Sequence, residues 1–124
     1  MAIIAVVDDN DRLLKTIDSM LDGTGYAVVL FDNPAEALTA FAKAPVDLVI
    51  SDIYMPGMNG FQFIEDLRVI MPTVPVIAMS GGGRFTGANV LGKSAEHGAT
   101  ATLAKPVRRA ELLTLIEKTL RAEI

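Results

Sequence analysis

A parallel α/β sheet with helices on both faces is predicted by three features of this sequence. Short β-rich runs alternate with stretches of helical period five times along the chain. The runs are almost continuously apolar, as strands covered on both faces are. Helix-start chemistry also stands where the alternation needs it, at Asn33-Pro34 and Asn59-Gly60.

The first run is "AIIAVV" (2–7), closed by Asp8 and Asp9. Leu13, Leu14, Ile17, Met20 and Leu21 then recur at helical spacing and give the next helix one apolar face. The second run, "YAVVLF" (26–31), leads into Asn33 before Pro34 with Glu36 three residues on, a capping-box pattern, and a short helix marked by Ala37, Leu38, Phe41 and Ala42. The third run, "VDLVIS" (46–51), ends on Asp52 and turns through Pro56, Gly57 and Gly60. Asn59 with Gln62 three residues on predicts the cap of a helix carrying Phe63, Ile64, Leu67, Ile70 and Met71. The fourth run, "VPVIAM" (74–79), is followed by Ser80. Residues 84–97 give the weakest helical pattern, with Gly87 and Gly92 around Val90 and Leu91 alone. The fifth run, "ATATLA" (99–104), is followed by Lys105 and Pro106, and Leu112, Leu113, Ile116 and Leu120 mark a last helix that nearly reaches Ile124.

At 124 residues the chain has the size of a single domain, expected over 1–124 with no output domain attached. Eleven Lys and Arg against 15 Asp and Glu leave a net charge of −4, which argues against direct nucleic-acid binding through general electrostatics. With no cysteine, disulfides, thiolate metal sites and cysteine nucleophiles are excluded. The apolar N-terminus lacks a basic start and is cut short by Asp8 and Asp9, unlike a signal peptide. No apolar run approaches the ~20 residues that span a bilayer, so a cytoplasmic protein without membrane contact is expected.

Right-handed crossovers place the C-terminal ends of parallel strands along one edge, where such sheets bind ligands. On that edge stand Asp8 and Asp9, Asp52, Ser80 and Lys105. Three adjacent carboxylates repel, and a divalent cation relieves them; hard oxygen donors favour Mg²⁺, which commonly completes its shell with a phosphate. Lys105 offers a fixed positive charge to a phosphoryl oxygen and Ser80 a hydroxyl donor. Asp52, alone between the acid pair and the Ser80 and Lys105 ends, is the best-placed nucleophile for a covalent step giving an aspartyl phosphate.

"VVDDN" (6–10), "SDIYMPGMNG" (51–60), "MSG" (79–81) and "AKP" (104–106) together resemble the receiver domain of bacterial two-component response regulators, across the whole chain. The resemblance implies a flavodoxin-like (βα)₅ doubly wound sheet of strand order 2-1-3-4-5. It further implies that Asp52 is the phosphoacceptor, Asp9 a direct Mg²⁺ ligand, Asp8 a ligand acting mainly through water, and the Tyr54 backbone carbonyl the protein's remaining ligand. Ser80 and Lys105 match the pair that grips the phosphoryl group, assisted by the Gly81 amide, and Pro106 matches a position where the family has a cis bond. The implied partners are a histidine kinase or histidine phosphotransfer protein and an unknown downstream protein. A homodimer through the face after Ser80 is a further implication, and phosphorylation would repack that face.

Two departures stand out. Thr102 occupies the position of the family's rotating switch aromatic, and 25 positions separate Ser80 from Lys105, with "GGGRFTGANV" filling the excess. A remodelled glycine-rich loop is expected there, with Phe85 a candidate to replace the missing ring.

Plainer readings accompany these. Asp9 or Asp11 serves as a helix cap, the lone His97 is a surface residue of the fourth helix, and "GGGR" is a turn, since no Lys-Ser/Thr follows it as a P-loop requires. Arg108 and Arg109, opening the last helix against its dipole, are partner contacts or a solvated face. The Tyr54 ring either shields an aspartyl phosphate from water or lies on the surface. Competing functions are a receiver-fold interaction module that is not regulated by phosphorylation, and a small Mg²⁺-dependent phosphohydrolase. The latter lacks the second Asp two residues after the nucleophile, where Tyr54 stands.

Overall fold

The computed structural model, which describes residues 2–55, 58–80 and 99–122, sets the five apolar runs side by side. The elements are β1 (Ile3–Val7), α1 (Asp11–Leu21), β2 (Ala27–Phe31), α2 (Pro34–Lys43), β3 (Leu48–Asp52), β4 (Tyr54–Met55), β5 (Met58–Asn59), α3 (Gly60–Ile70), β6 (Val76–Ser80), β7 (Ala101–Ala104) and α4 (Arg109–Ala122). The main sheet is parallel in the order β2-β1-β3-β6-β7, which is 2-1-3-4-5 when its own five strands are counted along the chain. The flavodoxin-like doubly wound fold expected from the sequence is therefore the fold observed. Each strand starts one or two residues later than its apolar run, and β3 and β6 each extend one residue further, so Asp52 and Ser80 are the last residues of strands.

Period-two alternation divides the sheet into two apolar faces. Ala5, Val7, Val49, Val76 and Ala78 pack with Ala37 and Phe41 of α2 and Phe63, Ile64 and Leu67 of α3. Ile4, Val6, Leu48, Ile50, Ile77, Met79 and Leu103 pack with Leu14, Ile17 and Leu21 of α1 and Leu112 and Ile116 of α4. Phe31 and Phe41 meet edge to face at 5.5 Å and join the end of β2 to α2. On the outer strand, Val29 and Leu30 remain more than a third exposed.

The helix starts follow the cap chemistry. The Asn33 side chain accepts hydrogen bonds from the Ala35 and Glu36 amides at 2.8 and 3.2 Å, with Pro34 as the first helical residue. For α1 the cap is Asn10, which accepts from the Arg12 and Leu13 amides; neither Asp9 nor Asp11 takes that role. Asn59 stands directly before the first residue of α3, the position expected of its cap. Its backbone pairs with Tyr54 in a short antiparallel hairpin of β4 and β5, while α3 begins at Gly60.

Two arginines tie elements together. Arg109 Nε donates to the Met20 carbonyl at 3.1 Å, bringing positive charge to the C-terminal end of α1, whose last turn has no basic residue of its own. Arg109 thus makes an intramolecular hydrogen bond while remaining exposed, as the solvated-face reading has it. The Arg68 guanidinium donates to the carbonyls of Val74 and Pro72, just before β6, and to Thr100 Oγ1, just before β7. The predicted helix in 84–97, with Phe85 and His97, lies outside the described residues. Among those that are described, no helix is long and apolar enough to cross a membrane.

Phe63 is 0 % exposed and is the bulkiest of the fully buried side chains among the described residues, so Phe63→Ala should cost about 3–5 kcal/mol. Urea unfolding midpoints of the two proteins measure this directly.

Candidate functional site

Strand register explains how the predicted residues converge. Val7 lies level with Ser51, Asp52 with Met79, and Met79 with Leu103. One step beyond Val7, Asp8 is therefore level with Asp52 on the neighbouring strand. Both carboxylates project at the C-terminal edge of the sheet. Ser80 is level with Ala104, and Lys105 follows one residue later.

The side chains meet there. Asp8, Asp9 and Asp52 each offer a carboxylate oxygen, and the three oxygens lie within 4.8 Å of one another. Asp8 is 0 % exposed and Asp52 6 % exposed, whereas Asp9 is open to solvent. Lys105 Nζ stands 3.2 Å from Asp8 Oδ2 and 3.2 Å from Asp52 Oδ2. One ammonium thus bridges two buried carboxylates from separate strands. The peptide bond between Lys105 and Pro106 is cis.

Asp8 is also fixed from behind, because its Oδ1 accepts the Asn10 N–H at 2.8 Å. Sequence reading missed that Asn10 serves twice, as the cap of α1 and as the amide that orients Asp8; the signal was its equal rank with Asp as an N-cap, directly before Asp11. Burial raises the Asp8 pKa above its ordinary value, and the Asn10 N–H opposes this. The Asp52 charge adds to the rise, and Lys105 works against it. A carboxylate cluster holding this much buried negative charge fits a hard cation such as Mg²⁺ through its all-oxygen donor set.

Tyr54 opens β4 two residues after Asp52, so its backbone follows the acceptor strand directly. Thr102 lies in β7, half-buried and level with Ala78. The roles expected of the Ser80 hydroxyl, the Tyr54 ring and Gly81 fall outside the described residues and side chains, as does the "GGGRFTGANV" segment.

Comparison with known proteins agrees with this geometry. The sequence model of the response regulator receiver domain matches residues 4–117. The two-component response regulator ARR14 of Arabidopsis thaliana is 36 % identical over 120 residues, covering 95 % of this chain and 31 % of that protein. The DNA-binding transcriptional regulator NtrC of Escherichia coli K12 is 33 % identical, covering 94 % of this chain and 24 % of that one. The chain thus spans about a quarter to a third of the length of these curated relatives. Among solved structures, a response regulator receiver domain protein of Clostridium thermocellum superposes with a TM-score of 0.89 at 27 % identity, covering 99 % of this chain and 97 % of that one. The chemotaxis protein CheY4 of Vibrio cholerae gives 0.86 at 29 % identity, covering 96 % and 98 %. By sequence, strand order and the aspartate-lysine edge alike, the chain belongs to the response regulator receiver domain family.

Proposed function

We propose that this receiver domain accepts a phosphoryl group on Asp52 from the phosphohistidine of a histidine kinase or histidine phosphotransfer protein, in a Mg²⁺-dependent reaction. The phosphorylated form then changes its contacts with a downstream protein. The observation that carries this reading is Lys105 Nζ at 3.2 Å from both Asp8 and Asp52, at the one sheet edge where all three aspartates meet.

In this reading Asp9 would hold Mg²⁺ directly, Asp8 would act through water, and Asp52 and the Tyr54 carbonyl would complete the protein's share. The ion would neutralise charge on the phosphoryl oxygens during transfer. An Asp52 carboxylate oxygen forms the new O–P bond while the P–N bond of the phosphohistidine breaks, and the electron pair returns to the imidazole nitrogen. Lys105 pairs with a phosphoryl oxygen, and its flexible ammonium suits that shift from carboxylate to phosphate. Ser80 and the Gly81 amide supply the remaining donors. Thr102 stands in place of a switch aromatic, so the output face around β7 and α4 responds without ring rotation at that position. A homodimer through this face is part of the same proposal, as is action by protein contact instead of direct nucleic-acid or membrane binding.

Incubation with Mg²⁺ and acetyl phosphate should add the mass of one phosphoryl group in intact-mass spectra. Asp52→Asn should abolish the adduct, and so should chelation of the metal. Persistence of the adduct in Asp52→Asn moves the acceptor elsewhere, and turnover of a generic phosphatase substrate instead favours the hydrolase reading.

The raised Asp8 pKa sets a sign for stability. The folded state holds this proton more tightly than the unfolded chain does, so the associated stability is fully present below the ordinary carboxylate pKa of 3.8 and is lost as pH rises through the folded value. Asp8→Asn should therefore make the metal-free protein more stable at neutral pH by roughly 1 kcal/mol. The advantage should vanish at acid pH and narrow when Mg²⁺ is added. Denaturant midpoints at several pH values, with and without the metal, read all three effects.

A further inference from the structure

Among the described residues the buried polar or charged side chains are Asp8, Ser51, Asp52 and Thr119. Two are the carboxylates of the site, and Thr119 lies in α4, away from it. Ser51 is the one that the reading of the site leaves without a task. It is 2 % exposed and has the parity of Val49 and Ile53 in β3, so it faces the α2 and α3 side of the sheet. Its register neighbours on the two flanking strands are Val7 and Ala78, both 0 % exposed. A hydroxyl on an otherwise apolar inner face gains nothing from its apolar side-chain neighbours, and a residue such as Val would pack there without a polar group to satisfy.

The hydroxyl has a specific partner. Ser51 Oγ donates to the Asp52 carbonyl at 3.1 Å. That bond restrains the peptide plane that follows Asp52, where the chain leaves the main sheet. Ile53 keeps one ladder contact, its amide donating to the Met79 carbonyl at 3.2 Å, and the backbone then bends into β4 at Tyr54. The Asp52–Ile53 peptide is thus pinned by the Ser51 hydroxyl at its carbonyl and by β6 at its amide. Its orientation sets both the direction of the Asp52 side chain and the path of the backbone toward Tyr54.

We infer that Ser51 is a positioning residue for phosphoryl transfer, acting through its Oγ hydrogen bond to the Asp52 carbonyl. The inference rests on Asp52 being the phosphoacceptor. A carboxylate held in a near-attack orientation loses less entropy on reaching the transition state, and small misplacements are expensive in rate.

The test compares the full chain with its Ser51→Ala and Ser51→Thr variants. Mg²⁺-dependent phosphorylation by acetyl phosphate is followed over a range of donor concentrations, alongside urea unfolding of each protein. In Ser51→Ala the maximal phosphorylation rate constant should fall about fivefold, the effect of one neutral hydrogen bond, with half-saturating donor concentration and unfolding midpoint little changed. Ser51→Thr keeps the hydroxyl and should restore most of the rate. In the metal-free proteins the ¹³Cγ resonance of Asp52 should move in Ser51→Ala and return toward its original position in Ser51→Thr. An unchanged rate in Ser51→Ala overturns the inference, and so does equal slowing in both variants, which assigns the effect to packing. Absence of any Asp52 adduct in the unsubstituted protein removes the phosphoacceptor reading itself, and the positioning role falls with it.

Discussion

The arrangement of the molecule turns on one contact, the Lys105 ammonium held between Asp8 and Asp52. Two carboxylates that are almost wholly removed from solvent face each other across neighbouring strands, and a third stands beside them at the surface. Without a nearby cation the fold would carry uncompensated buried charge, which costs several kcal/mol. The lysine supplies that compensation from the far side of β6, so the ion pairs couple β1, β3 and the end of β7. Electrostatic repulsion at one edge is thereby converted into a constraint on how three strands lie relative to one another. The same cluster of carboxylate oxygens is a donor set that suits a hard cation.

Much of the fold was legible because hydrophobic period is a backbone-scale signal. The runs around Ile4, Val28, Ile50, Ile77 and Leu103 became strands because each is short, β-branched and bounded by polar residues. Their parallel order followed from alternation with helices. Asn33 was readable as a cap because its role depends on residues within one turn. The β4–β5 hairpin was not, since Tyr54, Met55, Met58 and Asn59 show no alternation and the pairing arises from chain geometry after β3. Asn59 carried a local signal for a cap and does stand directly before α3, whereas nothing in that local pattern announced the pairing of its backbone with Tyr54.

At the site, the identities of Asp8, Asp9, Asp52 and Lys105 were readable from their places after successive strands, and topology did the rest. What sequence could not reveal were contacts set by distance in the fold. Arg109 bonding Met20 spans 89 positions, and no periodicity encodes it. The dual use of Asn10 depends on how Asp8 turns back on its own loop. Ser51 looked like an ordinary residue in an apolar run, and only its burial beside Val7 and Ala78 made its hydroxyl conspicuous.

The Arg109 bond joins the first helix to the last, two elements far apart in the chain that cover the same face of the sheet. Mechanically this is a strut. A push that tilts α1 must stretch that link or carry the start of α4 along with it, in addition to pressing on the strands that both helices cover.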